Sequence, residues 1–169
     1  LEMGRLAGGS YRTPDTVCRP EGVLRDIIER LRPDAESRGI ALAAEIGEVL
    51  PVAADPEDIE HIFTNLVENA VKYSPDGSTV KATLHTAEDG GMHFTVKDRG
   101  IGVPEEQLAK VFQEFWRADN ARRMKKQGTG LGLPIVKKIV DSLGGDVKLS
   151  NAPAGGTTAV VRLPAAQTK

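Results

Sequence analysis

The chain is short of the residues that build covalent or metal frameworks. It has one cysteine, Cys18, in 169 residues, which excludes an internal disulfide and a multi-cysteine metal site and fits a reducing compartment. Aromatic residues make up 4%, too few for the stacking platforms that hold single-stranded nucleic acid. Neither sign of charge dominates: 22 Lys and Arg against 24 Asp and Glu leave a formal net charge of −2, so no global basic field speaks for nucleic acid. No apolar run approaches the roughly 20 residues of a membrane-spanning helix. No signal peptide opens the chain, and its first residue is Leu1 rather than methionine, so it reads as an excised piece of something longer.

What is present is ordinary globular material, 40% hydrophobic and 27% charged, in a length that suits one domain with its own core. Leu1–Ala7 reads as the end of a helix, cut off by Gly8-Gly9, and Thr13-Pro14 as extended linker. Thr16–Cys18 is a candidate short strand. Val23, Leu24, Ile27, Ile28 and Leu31 have helical spacing within Glu21–Ser37, with Pro33 expected to bend or shorten that helix. Ile40–Ile46 and Val52–Ala54 read as strands. Asp55-Pro56 predicts a helix start with an acceptor at the N-cap and proline at N1. Ile59, Ile62, Phe63, Leu66, Val67, Ala70 and Val71 then recur at helical spacing up to the turn Ser74-Pro75-Asp76-Gly77. Thr79–Thr86 and Met92–Asp98 predict a hairpin, and Leu108–Phe115 a short helix. A last helix is expected from about Leu133 to Leu143, with Val147–Ser150 and Thr157–Leu163 as a second hairpin. This order predicts an α/β (α+β) two-layer sandwich, a mixed five-stranded sheet packed on about three helices.

Three stretches carry candidate chemistry. Gly128-Thr129-Gly130-Leu131-Gly132-Leu133 alternates glycine with other residues before an apolar helix. Such a turn offers free N–H groups and a positive dipole end to phosphate. It is not a P-loop, because Leu133 and Pro134 follow Gly132, and it is not a dinucleotide fingerprint, because Leu133 stands where the third glycine belongs. That leaves another kind of nucleotide loop or plain punctuation. In the second stretch, Asn65, Asn69 and Lys72 share one face of a helix. Asparagine carbonyls are hard ligands for Mg²⁺, and a lysine one turn on reaches phosphate as a point charge; the bland alternative is a solvated polar stripe. In the third, Asp98-Arg99-Gly100-Ile101-Gly102 ends a strand. A carboxylate on a pocket floor accepts from an exocyclic amino group, which adenine offers and the six-position of guanine does not. Alone, this run is also compatible with an exposed turn.

In order along the chain these runs are Asn-x-x-x-Asn-Ala-x-Lys-Tyr, Asp-x-Gly-x-Gly, Phe112-Gln113-Glu114-Phe115-Trp116-Arg117 and Gly-Thr-Gly-Leu-Gly-Leu. Together they resemble the N, G1, F and G2 boxes of the catalytic and ATP-binding domain of sensor histidine kinases. The resemblance covers roughly residues 16–164, including Gly155-Gly156-Thr157-Thr158. The wider superfamily, the GHKL or Bergerat fold, includes the ATPase domains of gyrase, Hsp90 and MutL. It implies a domain over 16–165, a remnant of a dimerisation helix and linker over 1–15, and a tail at 166–169. It implies ATP and Mg²⁺ as ligands, with Asn69 on the metal and Asn65 in or beside the same ligand set, Lys72 on phosphate and Tyr73 lining the nucleotide site. Asp98 would take the adenine amino group, with Gly100, Ile101 and Gly102 shaping that wall and Thr157 reaching adenine. Arg117 would reach phosphate, and Phe112 and Phe115 would anchor a flexible ATP lid over 116–127, where five basic residues stand against Asp119. Gly128, Thr129, Gly130, Leu131 and Gly132 would face the phosphates.

The family transfers the γ-phosphate to a histidine in a His-Asp/Glu-x-x-Arg/Thr-Pro-like box on a dimerisation domain. None of His61, His85 and His93 begins such a box, so this chain is expected to bind nucleotide without phosphorylating itself. Its implied partners are that dimerisation domain and a response regulator. The piece alone is expected to be a monomer and its parent a homodimer, with this piece as the cytoplasmic portion of a membrane-bound bacterial sensor. A competing reading is an ATPase that drives a clamp; such relatives usually carry glutamate where Asn65 stands, and Glu60 and Glu68 lie nearby. A third is a non-catalytic regulator with a degenerate site.

Overall fold

The computed structural model describes residues 16–114 and 132–166. Along the chain, α1 spans Pro20–Ser37, β1 Ala41–Ile46, α2 Pro56–Tyr73, β2 Thr79–Thr86 and β3 Met92–Lys97. A 3₁₀ helix at Glu105–Lys110 follows, then α3 at Gly132–Ser142, β4 at Asp146–Asn151 and β5 at Thr157–Leu163. The sheet has five strands in the order β1-β2-β3-β5-β4. β1 runs parallel to β2, and every other pairing is antiparallel. The expected two-layer sandwich, a mixed five-stranded sheet packed on about three helices, is the architecture found, with three α-helices among the described residues.

Alternation along the strands creates the two layers. Leu84, Phe94, Val161 and Val147 are successive partners across four strands and are all buried. Ile59, Ile62, Phe63, Leu66, Val67 and Ala70 of α2 pack onto this face, and the rings of Phe63 and Phe94 lie 4.2 Å apart between centroids. Leu24, Ile27 and Ile28 of α1 and Val136, Ile139 and Val140 of α3 complete the helical layer. The opposite face of the sheet is polar, and there Lys81 pairs with Glu45 at 2.9 Å.

Several local expectations change. Pro33 does not shorten its helix: α1 runs for 18 residues, through Pro33 to Ser37. Pro33 is exposed. Asp55 stands at the N-cap of α2, yet its side chain makes no cap bond; its carboxylate accepts instead from the Thr16 hydroxyl. The predicted helix at Leu108–Phe115 is a 3₁₀ segment that begins earlier and ends at Lys110, with Phe115 outside the described residues. The two short strands at Thr16–Cys18 and Val52–Ala54 reduce to one antiparallel bridge between Cys18 and Val52.

Arg38, just past α1, does work that periodicity does not announce. Its Nη1 donates to the Val71 carbonyl at 2.7 Å, its Nη2 to the Ser74 carbonyl, and its Nε to Asp76 at 2.9 Å. It thereby adds to the Ser74 amide as a donor to the Val71 carbonyl and bonds the Ser74 carbonyl just past the C-terminus of α2, where a cation also suits the helix dipole.

On the polar face, His93 Nδ1 and His85 Nε2 are 3.2 Å apart across β2 and β3. Burial, then His85, then Arg162 push the His93 pKa below its ordinary value. The native state therefore binds fewer protons than the unfolded chain once pH drops below the unfolded value, about 6.5, and stability falls with pH through that window. Glu45, held low by Lys81, loses stability in the same direction but only in more acid solution. The urea midpoint is expected to drop between pH 7.5 and 5.5, and to drop less in His93→Gln.

Candidate functional site

Asp98 follows β3 and is 9% exposed. Burying a carboxylate is costly unless it is hydrogen-bonded, and this one is. Its Oδ1 accepts from the Gly100 amide at 2.8 Å and the Thr157 amide at 3.1 Å, and its Oδ2 from the Thr157 hydroxyl at 2.5 Å. The Asp98 amide in turn donates to the Thr157 carbonyl at 3.0 Å. Thr157 was expected at the base-binding wall, and the structure joins it directly to Asp98. An ionised carboxylate has about four acceptor positions. Among the described residues three are taken, which leaves one on Oδ2.

Two glycines allow this approach. A Cβ at Gly100 would lie 2.5 Å from the Tyr73 carbonyl oxygen, so the loop passes directly against the end of α2. At Gly156, φ is +85° and a Cβ would strike the Asp98 carbonyl oxygen.

The polar stripe of α2 lies beside this floor. Asn65, Asn69, Lys72 and Tyr73 are all half-buried. Asn65 Nδ2 donates back along the helix to the His61 carbonyl at 2.8 Å, which fixes the direction of its Oδ1. A Cβ on Gly132, at the start of α3, would stand 3.4 Å from this oxygen. The Lys72 ammonium lies 5.3 Å from the centroid of the Tyr73 ring, within reach of a cation–π contact. Among the described residues no group of three or more His, Cys, Asp or Glu could hold a metal ion. A hard cation here would therefore rely on amide oxygens and on oxygens of its ligand, a combination Mg²⁺ accepts.

The structure thus brings together Asp98, Gly100, Thr157 and the end of α2, and it sets Asn65 against Gly132. Ile101 is 40% exposed, and Gly102 has φ +72°. Arg117, the basic stretch 116–127, Gly128, Thr129, Gly130 and Leu131 lie outside the described residues. Phe112 is partly buried against the core, and Glu114 pairs with Lys138 of α3 at 3.1 Å. His61 is half-buried, with Nε2 3.8 Å from Glu57. Burial pushes the Cys18 thiol up, which keeps it a poor nucleophile. Two residues that sequence reasoning missed contact this region: Arg38, through the end of α2, and Asn151, whose side chain bonds Val103. Nothing in periodicity marks either.

Residues 54–167 match the family described as histidine kinase-, DNA gyrase B- and HSP90-like ATPase. The sensor histidine kinase WalK of Bacillus subtilis is 40% identical over 116 residues, 68% of this chain and 19% of that protein. The sensor-like histidine kinase SenX3 of Mycobacterium tuberculosis is 32% identical across 98% of this chain and 40% of its own length. Among solved structures, the mycobacterial sensor histidine kinase MprB superposes with a TM-score of 0.80 at 27% identity, covering 90% of this chain and all of that one. Full-length ShkA, solved in complex with AMPPNP, gives 0.81 at 28% identity, covering 99% of this chain and 34% of that one. The chain belongs to this ATPase family, as an ATP-binding catalytic domain of the sensor histidine kinase kind. It spans between about a sixth and two fifths of the length of the first curated relatives it matches. No helix among the described residues is long and apolar enough to cross a membrane.

Gly156→Ala is expected to remove nucleotide binding by forcing Asp98 and Thr157 apart, while the far end of the sheet stays folded. Calorimetry with ATP, beside amide exchange at β2, checks both halves of that expectation.

Proposed function

We propose that this domain binds ATP with Mg²⁺ and donates the γ-phosphate to a histidine on a separate dimerisation domain of its parent, in a two-component signalling system with a response regulator downstream. The observation that supports the nucleotide reading is a buried carboxylate, Asp98, on which described residues take three of about four acceptor positions and leave one on Oδ2. The adenine six-amino group would donate to that position. Guanine presents an oxygen there, which would meet Asp98 as acceptor against acceptor.

The remaining roles follow from position. Gly100, Ile101, Gly102 and Thr157 would line the base, and Tyr73 would close the side nearest α2. Lys72 would place its charge on phosphate. Asn69 and Asn65 would hold Mg²⁺ through their amide oxygens, and the fixed direction of the Asn65 amide fits that use. A bound Mg²⁺ would supply neutralisation of charge on the β- and γ-phosphates. Gly132, with Gly128, Thr129, Gly130 and Leu131, would bring backbone N–H groups to phosphate, and Arg117 would add a cation as charge moves to the leaving oxygen. Phosphoryl transfer depends mainly on positioning and electrostatics, so the lack of a general base is no obstacle.

The clamp-ATPase alternative calls for a glutamate that activates water. Glu60 pairs with Arg30 of α1 at 3.1 Å, which supports a structural role for it instead. Glu68 is exposed.

Asp98→Asn places an amide where the acceptor stands. The loss of a charge-assisted bond is worth about 1.5–3 kcal/mol, so ATP is expected to bind roughly ten- to a hundredfold more weakly. Unchanged affinity by calorimetry would remove the basis of the assignment. Incubation with γ-labelled ATP is expected to leave this chain unlabelled and to label a supplied dimerisation domain carrying the acceptor histidine. Acid-labile, base-stable label on the chain itself would contradict the separate-acceptor proposal.

A further inference from the structure

The loop from Asp98 to Val103 is gripped at both ends by one hairpin. Thr157, the first residue of β5, holds the start through Asp98. Asn151, the last residue of β4 and the ladder partner of Thr157, holds the end. Its Oδ1 accepts from the Val103 amide at 2.9 Å, and its Nδ2 donates to the Val103 carbonyl at 2.6 Å and to the Glu105 carboxylate at 3.3 Å. One side chain thus supplies an acceptor and a donor to one residue's backbone, as a further strand would. Between the two grips the chain turns through Gly102 at φ +72°, where a Cβ would stand 3.1 Å from Asn151 Oδ1. The loop is seated closely against the amide.

We infer that Asn151 is a positioning residue for purine recognition. Its amide fixes the far end of the loop whose near end is Asp98, so the wall that meets the base is formed before the base arrives. The inference rests on the nucleotide reading above. A loop already ordered spares the ligand the cost of ordering it, and an acceptor held in one place discriminates better between an amino group and an oxygen. Serine is too short to reach both backbone groups. Aspartate has the right shape but no donor for the Val103 carbonyl, and it sets a second carboxylate beside Glu105.

The test uses the 169-residue chain with Asn151→Asp, Asn151→Ser, and Asn151→Asp combined with Glu105→Gln. ATP and GTP affinities are measured with Mg²⁺ by calorimetry, and amide hydrogen exchange is followed along the chain. Exchange over residues 99–105 is expected to rise in both single variants while α1 and β2 stay as protected as before. ATP is expected to bind about three- to tenfold more weakly, the scale of one or two lost hydrogen bonds, and the preference for ATP over GTP is expected to shrink. Glu105→Gln is expected to restore part of the loss in Asn151→Asp. A purely structural role would lower the melting temperature and leave the ATP-to-GTP ratio alone. ATP affinity within twofold of the unsubstituted chain, with unchanged loop exchange, overturns the positioning role and leaves the nucleotide reading standing. If the unsubstituted chain binds no ATP, the nucleotide reading fails and this inference fails with it. Should Asn151→Asp lose protection everywhere, Asn151→Ser is judged by the same criteria.

Discussion

The buried carboxylate of Asp98, tied to Thr157, is the interaction around which the rest of the site is arranged. A charge out of water must find its bonds in the protein, and these come from one loop amide and from both donors of one strand residue. That demand dictates the neighbours. Gly156 has no side chain because the Asp98 carbonyl occupies that space, and Gly100 has none because the end of α2 does. The register of β3 on β5, with Lys97 opposite Thr158, is what delivers the donors to the acid.

The other half of the site depends on one helix with two faces. α2 buries Ile59, Ile62, Phe63, Leu66 and Val67 against the sheet and turns Asn65, Asn69 and Lys72 along a second stripe. Core packing thereby aims the polar groups, since rotating the stripe would expose the apolar seam. Arg38 fixes the end of the same helix by bonding the Val71 and Ser74 carbonyls. Asn65, Lys72 and Tyr73 are thus aligned by core packing on one side of the helix and by Arg38 at its end.

Most of this was legible in sequence because it is periodic or glycine-marked. The seam of α2, the alternation of β2 and β3 and the turn residues between them give the elements and the two-layer arrangement. Asp98 stands out because alternating glycines follow it at the end of a strand, the mark of a loop that approaches backbone or ligand closely, whereas Thr157 is singled out only by the resemblance to the kinase boxes. Illegible features were those decided by a single long-range partner. Asp55 has the composition of an N-cap, but Thr16, 39 residues away in sequence, claims its carboxylate. Pro33 lacks the N–H that would bond the carbonyl four residues back, yet the helix continues past it to Ser37. Asn151 and Arg38 look like ordinary polar residues until the fold sets Val103 and the end of α2 beside them.

The sheet order carries a consequence for how the domain assembles. β2 with β3 and β4 with β5 are each joined over a short stretch of chain, whereas β3 and β5 pair residues as far apart as Met92 and Leu163. Contacts of high sequence separation pay the larger loop-closure cost and tend to limit the folding rate. The Asp98–Thr157 cluster, 59 residues apart in sequence, lies on that late seam. Neither hairpin alone holds both members of this cluster. Occupancy by nucleotide would therefore hold the two halves of the sheet together, so that the bound ligand serves as a clasp on the finished fold as well as a source of phosphate.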